Sequence, residues 1–286
     1  MARCLCAQGQ IRLCGDRIVV VEYRDAHVTA LSLGLNPLWR YSRRGSGPGE
    51  IRTLGDLSCD GEGRVWIPDE GNARIHVLGP GGTYERALPM ERLAQRLLVH
   101  PAERTMTIVT RDQRELVERL SWNGSYVRSV LAPPDLAALT MQRRELLAAG
   151  GDDGSVVFAF RWSSVLLRIT RTDSIAMRVD GIEPIDFPEL RAFPDGAATI
   201  VRIDPAAPEA ARRVALSGGV IHVLFAGRTA DRMRIIDRYS SEDGRYLGSL
   251  RLPAEAWDFG VRNDTVVLLI RDPVPAIRVL RWRPAR

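Results

Sequence analysis

The sequence of 286 residues predicts an all-β fold, built as one domain over residues 1–286 from six four-stranded antiparallel units. Three observations predict it. Short runs rich in Val, Ile and Phe recur six times, a turn signal precedes each run, and further strand-like segments follow most of them. The repeated unit is therefore strand, turn, strand, loop, strand, turn, strand, and its copies begin about 40 to 65 residues apart.

The six runs are RIVVVEYR (17–24), RVWIPD (64–69), TMTIVTR (105–111), SVVFAFR (155–161), VIHVLFAGR (220–228) and TVVLLIR (265–271). A small sheet that is apolar on both faces cannot bury those faces by itself. Six such sheets stacked around an axis cover every face and leave few exposed edges. Six such units indicate a six-bladed β-propeller.

Two places depart from the repeat. Residues 182–213 are an excess between the fourth and fifth units, and they predict an insertion or an abbreviated extra blade. The chain also ends after the third strand of the last unit, so the N-terminal residues ARCLCAQ must supply the fourth strand. Because this segment is short, we expect imperfect closure of the ring.

Two segments have helical composition. They are PMERLAQRLL (89–98) and PPDLAALTMQRRELLAA (133–149), which lie between units. Both predict connecting loops that contain a turn or two of helix.

The composition is that of a soluble globular protein, 45% hydrophobic and 26% charged, with a net charge of +5. No apolar run approaches the ~18 residues of a membrane span, so no transmembrane segment is expected. All 40 basic residues are Arg, the better bidentate binder of carboxylates and phosphates. A small positive excess favours acidic partners only mildly.

The cysteines all lie in the first fifth of the chain, at Cys4, Cys6, Cys14 and Cys59. They lack the paired spacing of a zinc site, and we expect free buried thiols. The start MARCLCAQGQ lacks the apolar core of a signal peptide. A chain that begins at this Met is expected in the cytoplasm, and a chain with a leader upstream is expected outside it.

One stretch carries a family resemblance. RRGSGPGEI (43–51) matches the pattern R-x-G-x-G-P-G-E, and DGEGRVWIPDEGNARIHVLGPGG (60–82) contains D-x-x-N-x-R-[IL]-x-V before a glycine turn. These motifs, with the ending PAIRVLRW (275–282), resemble the bacterial six-bladed β-propellers related to NHL repeats. The resemblance implies a propeller and an exported protein of unassigned activity.

The glycine-rich stretch 43–51 invites comparison with a phosphate-binding loop. A Walker loop needs Gly-Lys-Ser/Thr at the start of a helix, and a dinucleotide fingerprint also needs a helix after it. Here Pro48, Gly49 and Glu50 lead to a strand, so we predict a tight crossover between the first two blades. Asp69, Asn72 and Arg74 are likewise expected to be structural.

Arginines recur where the second strand of a blade ends. Arg24, Arg111, Arg161, Arg228 and Arg271 occupy this place in five of the six units. Since strands alternate in direction, these loops share a face with the crossovers that follow the fourth strands, including Arg43 and Arg44. Such a face would be positive and suited to carboxylates, phosphates or an acidic protein surface, although arginines also brace adjacent blades.

Evidence for catalysis is weak. The histidines, His27, His76, His100 and His222, fall in different units at unlike strand positions. Three glutamates near the starts of innermost strands, Glu50, Glu145 and Glu255, resemble the carboxylates of lactonase-like propellers, but their registers differ. We therefore predict no catalytic residue, no metal and no cofactor.

The sequence thus predicts a monomeric, non-catalytic binding or scaffold propeller. Its expected partner is an acidic protein surface or another anionic ligand, bound by the seven arginines named above. Two alternatives stay open: a nucleic-acid-binding NHL-like propeller, and a metal-dependent propeller of the lactonase or lyase kind.

Overall fold

The protein is a six-bladed β-propeller, as the repeat predicted. The computed structural model describes residues 2–3, 9–92, 94–110, 112, 114–195, 198–270 and 274–282. These residues form six four-stranded antiparallel sheets and one separate two-stranded sheet.

The blades follow one another along the chain. Blade 1 contains β2 (Gly9–Cys14), β3 (Arg17–Glu22), β4 (His27–Ser32) and β5 (Pro37–Tyr41). Blade 2 contains β6 (Ser58–Cys59), β7 (Val65–Asp69), β8 (Arg74–Leu78) and β9 (Tyr84–Pro89). Blade 3 contains β10 (Ala94–His100), β11 (Thr105–Thr110), β12 (Glu115–Ser121) and β13 (Tyr126–Leu131).

Blade 4 contains β14 (Leu146–Gly150), β15 (Val156–Phe160), β16 (Ser163–Ile169) and β17 (Ile175–Asp180). Blade 5 contains β20 (Ala211–Ser217), β21 (Val220–Phe225), β22 (Ile235–Ser240) and β23 (Tyr246–Arg251). Blade 6 contains β24 (Asp258–Arg262), β25 (Thr265–Ile270), β26 (Ala276–Arg281) and, from the start of the chain, β1 (Ala2–Arg3).

The hydrophobic core is divided among the contacts between neighbouring blades. Each of the six junctions holds its own cluster of buried side chains, including the junction between blades 6 and 1. At that last junction Ile11 and Ile18 of blade 1 pack with Leu269 and Ile277 of blade 6. Alternate residues of each strand therefore serve two different clusters, which explains why the strands are apolar on both faces.

The N-terminus closes the ring with a very short strand. Ala2 pairs with Ile277 and Arg3 pairs with Ala276, so β1 contributes two residues to blade 6. The side-chain cluster between blades 6 and 1 adds to this contact. Closure therefore depends on packing between the blades more than on the hydrogen bonds of β1.

The expectation of helix is wrong for 89–98 and right for part of 133–149. Residues 94–100 form β10, the innermost strand of blade 3, which pairs with β11 along its length. Burial of Leu97 and Leu98 and pairing with β11 override the helical composition. Two short helices, α1 (Pro134–Ala137) and α2 (Met141–Arg144), do precede β14.

The excess between the fourth and fifth blades forms a hairpin. It consists of β18 (Leu190–Asp195) and β19 (Ala198–Ile203), which pair only with each other. Residues 211–213, at the end of the predicted excess, belong instead to the innermost strand of blade 5.

The expectation of free thiols is wrong for Cys14 and Cys59, which form a disulfide with a Cα–Cα distance of 5.7 Å. Cys14 ends β2 and Cys59 ends β6, and these are the innermost strands of adjacent blades. The ring therefore brings the two thiols within bonding reach. Cys4 and Cys6 lie outside the described residues.

The molecule has two faces with different loops. We call one the crossover face: it carries the loops between second and third strands and the crossovers from each blade to the next. The other, the turn face, carries the tight turns between first and second and between third and fourth strands. No helix of the described residues is long and apolar enough to cross a membrane.

Candidate functional site

The glycine-rich stretch 43–51 is the crossover from blade 1 to blade 2, and Asp69 holds its end. Asp69 is fully buried, and its Oδ1 accepts hydrogen bonds from the backbone N–H groups of Arg52 (3.1 Å) and Thr53 (2.9 Å). Asn72 donates from Nδ2 to Asp69 Oδ2 and to the carbonyl of Gly45. Both members of the motif therefore bind the crossover and not an external ligand.

Arg74 holds the middle of the same crossover. Its guanidinium donates to the carbonyl oxygens of Gly47 (2.8 Å) and Glu50 (2.6 Å). Glu50 in turn accepts the backbone N–H of Gly47 at 2.8 Å. Gly45 has a φ of 151°, and a Cβ there would clash with the Glu50 carboxylate. These contacts account for the motif without a bound phosphate.

Four of the predicted site arginines lie exposed on the crossover face. Arg24 lies in the loop between β3 and β4, Arg228 lies between β21 and β22, and Arg43 and Arg44 follow β5. The pairing of Val28 with Tyr41 brings the ends of β4 and β5 together, so the loop with Arg24 adjoins the crossover. None of the four forms an ion pair with another described residue.

Arg161, between β15 and β16, is half-buried and neutralised. Its guanidinium donates to Glu145 at 3.1 Å, forms a short ion pair with Glu209, and stacks over Trp162. Burial opposes its charge, but the hydrogen bond and charge of Glu209, with those of Glu145, raise the pKa of Arg161. Arg161 therefore connects the start of β14 with the crossover that leads into blade 5. The remaining two predicted arginines, Arg111 and Arg271, lie outside the described residues.

A central channel runs between the innermost strands and contains two cavities. One, of about 420 Å³, opens on the crossover face, and the other, of about 490 Å³, lies toward the turn face. Tyr23, Arg161 and Trp257 line the first, and the Cys14–Cys59 disulfide lines the second. Arg96 and Arg213 line both cavities, so these two side chains mark the boundary between them.

Five charged residues, three of them buried and two nearly so, meet at this boundary, which we call the channel cluster. They are Arg12, Asp56, Arg96, Arg213 and Asp258, with side chains between 4% and 12% exposed. Asp258 lies 3.3 Å from Arg12 and 3.0 Å from Arg213, and Asp56 lies 3.4 Å from both Arg96 and Arg213. A short ion pair joins Arg12 to Asp56.

The channel cluster has one more positive than negative charge, because three arginines share two aspartates. Burial, followed by repulsion from Arg213 and Arg96, lowers the pKa of Arg12 well below its ordinary value. Burial, followed by repulsion from Arg213, also lowers the pKa of Arg96 well below its ordinary value. The Nε atoms of all three arginines are buried without a hydrogen-bond partner. This arrangement can accept an anionic group.

The sequence-based interpretation missed the channel cluster. It considered the ends of second strands, whereas these residues lie on or just before innermost strands that come together only around the axis. A signal was present in the lone charges inside apolar segments, as in QIRL (10–13), QRLL (95–98) and WDFG (257–260). These charges can be recognised as one cluster only after the innermost strands have been assigned.

The residues considered for catalysis do not come together. Glu145 pairs with Arg161, and Glu255 lies 3.7 Å from Arg234. Glu50 binds the backbone of its own crossover. Among the described residues, no three His, Cys, Asp or Glu side chains are placed to hold a metal ion.

Comparisons with known proteins support the fold. No family model and no curated protein sequence matches the chain. The β-propeller domain of Cps50 (Swd1) from Myceliophteria thermophila is similar at 13% identity over 98% of both chains, with a TM-score of 0.55. A streptogramin B lyase is similar at 16% identity over 94% of this chain and 78% of the other, with a TM-score of 0.52.

A third similar structure is that of a nidogen/laminin complex, at 10% identity over 85% of this chain and 79% of the other, with a TM-score of 0.56. At identities this low, the similarity shows the β-propeller fold alone.

Proposed function

We propose that this chain is a non-catalytic binding module that recognises an acidic protein surface through its crossover face. One observation carries the proposal. Arg24, Arg43, Arg44 and Arg228 are exposed on this face without an ion-pair partner among the described residues, whereas Arg161 is neutralised by two glutamates. Uncompensated guanidinium groups create a positive field and bind carboxylates bidentately.

The proposal includes a relationship to the NHL-type bacterial propellers, which the motifs in residues 43–82 support. The described contacts of that stretch are internal, so it contributes its exposed arginines and no ligand-binding loop. Among the similar structures are both a protein–protein complex and a lyase. The glutamates considered for a lyase-like metal site are held by separate partners, and this favours binding over catalysis.

Charge reversal tests the proposal. A triple variant, Arg24→Glu, Arg43→Glu and Arg44→Glu, changes the crossover face. A matched triple variant changes three exposed arginines of the turn face, Arg245, Arg262 and Arg281, to Glu. Both variants lower the net charge from +5 to −1, so they are matched in total charge and change it on opposite faces.

Binding to poly-L-glutamate, measured by calorimetry, should weaken at least about tenfold in the crossover-face variant, because several exposed charges of about 0.2–1 kcal/mol each are reversed. The turn-face variant should bind nearly as the unchanged protein does. Equal losses in both variants would contradict the proposal. Tighter binding to duplex DNA with a steep salt dependence would point instead to a nucleic-acid partner.

A further inference from the structure

The channel cluster follows the order of the blades around the axis. Arg12 belongs to blade 1, Asp56 lies in the crossover just before β6 of blade 2, Arg96 belongs to blade 3, Arg213 to blade 5 and Asp258 to blade 6. The charges therefore alternate around the ring as positive, negative, positive, none, positive, negative. Blade 4 is the one that supplies no charge.

Strand register shows which residue of blade 4 occupies the vacant place. Arg96, Arg213 and Asp258 each pair with the next-to-last residue of the second strand in their blade, Val109, Leu224 and Leu269. Leu147 pairs with Ala159, the next-to-last residue of β15. Leu147 thus lies at the same level as the charged residues of blades 3, 5 and 6. In ring order it lies between Arg96 and Arg213.

The two arginines beside the vacancy are the ones that lack a partner on that side. Arg96 is 90% buried, and its one ion pair within the described chain joins Nε to Asp56 of the preceding blade. Arg213 pairs with Asp258 of the following blade and with Asp56 across the channel. Because three buried or nearly buried arginines share two aspartates, one positive charge is left uncompensated at a cost, so this side of the ring favours an added anion.

We propose that the carboxylate of a small organic acid binds between Arg96 and Arg213, beside Leu147, and supplies the negative charge that blade 4 lacks. With one added carboxylate, three negative charges balance the three arginines, and the cluster has zero net charge. A phosphate dianion would leave a buried negative charge.

The 420 Å³ cavity leaves room for the rest of the ligand, since its volume is within the range of small-molecule sites. Leu146, Leu147 and Trp257 contribute apolar surface to this cavity. The rest of its lining is mostly polar and includes, besides the channel cluster, Gln10, Tyr23, Glu70, Gln95, Glu145, Arg161 and Arg212. The inference does not rest on the proposed function, because Arg24, Arg43, Arg44 and Arg228 are absent from this cavity's lining.

The first test uses benzoate and propionate as probes, with benzamide and propionamide as uncharged controls and chloride to hold the ionic strength constant. Both acids should raise the melting temperature of the unchanged protein in a saturable way, and the amides should not. In Arg96→Gln, affinity for the acids should fall about tenfold or more, because a charge-assisted hydrogen bond is lost. Unchanged affinity in this variant, no stabilisation by either acid, or stronger binding of phosphate would overturn the proposal.

The second test needs no ligand. Leu147→Asp places a carboxylate in the vacancy, and Leu147→Asn is its uncharged match. In chloride buffer at neutral pH, Leu147→Asp should melt at a higher temperature than Leu147→Asn and should no longer respond to benzoate. A lower melting temperature for Leu147→Asp than for Leu147→Asn would show that the ring lacks no negative charge there, and would overturn the proposal.

Discussion

At the scale of single residues, Asp69 shows how a motif that looks like a ligand site can be structural. Its carboxylate is fully buried and receives two backbone N–H groups from the crossover and one side-chain N–H from Asn72. The sequence correctly indicated that these residues are structural. It did not indicate that their partner is the crossover of the preceding blade, because those contacts join residues 16 to 27 positions apart.

Asp69→Asn should lower the free energy of unfolding by about 1–3 kcal/mol, because hydrogen bonds to a buried charged acceptor become weaker and one acceptor atom is lost. Asp16→Asn, at a side chain that is 89% exposed, should change it by less than about 0.5 kcal/mol. Urea denaturation of both variants measures the difference. Equal effects would show that Asp69 does not hold the crossover.

His222 predicts a pH dependence at the same scale. It is buried in blade 5, and burial together with the charge of Arg238 lowers its pKa to about 4. In the unfolded chain its pKa is about 6.5. The contribution of His222 to stability is therefore fully present above pH ~6.5. It is lost as the pH drops toward 4, since in this range only the unfolded chain takes up the proton.

Between pH ~7 and pH ~5 this histidine should cost about 2 kcal/mol of unfolding free energy. His222→Gln removes the titrating group, so its stability should fall less than that of the unchanged protein over the same interval. Urea denaturation at several pH values measures the unfolding free energy of both proteins. Because both contain the same carboxylates, the difference between the two pH profiles excludes the carboxylate contribution. Parallel pH profiles would mean that His222 does not stay neutral in the fold.

At the scale of elements, the hairpin of β18 and β19 lies outside the ring of six blades. We propose that it is an insertion. Leu190 pairs with Ile203, so the two ends of the hairpin lie about 5 Å apart. Phe187, which precedes the hairpin, packs edge-on against Phe160 of blade 4 with ring centroids 5.2 Å apart. This contact does not involve the hairpin itself.

Replacement of residues 190–203 by Gly-Gly should therefore lower the free energy of unfolding by less than about 1 kcal/mol, as for other changes away from a packed core. Phe187→Ala, which leaves the hairpin intact, should cost about 3 kcal/mol by analogy with other core aromatic residues, or somewhat less because it is only partly buried. Chemical denaturation compares the two. A larger loss from the deletion than from Phe187→Ala would make the hairpin part of the core.

The disulfide between β2 and β6 is also a feature of elements. Cys14 and Cys59 are 45 residues apart, and no spacing rule connects them. They meet because each ends the innermost strand of its blade and the two blades are neighbours. Because disulfides persist in oxidising compartments, we propose that this protein works outside the cytoplasm.

At the scale of the whole molecule, the ring follows from the sequence because each second strand is a continuous apolar run after a turn. This signal placed β3, β7, β11, β15, β21 and β25 correctly, and with them the blade count. The innermost strands were harder to predict, since β10 has helical composition and β6 has two residues. The channel cluster depends on those innermost strands, which explains why sequence patterns alone did not indicate it.

We propose that an acidic partner binds the crossover face and not the turn face. Hydrogen–deuterium exchange of the protein with and without poly-L-glutamate distinguishes the two faces. We predict slower exchange in the loop 23–26 and the crossover 42–52, with unchanged exchange in the turns 15–16 and 241–245. Protection of the turn face, or no protection of the crossover face under conditions where the polymer binds, would contradict the account.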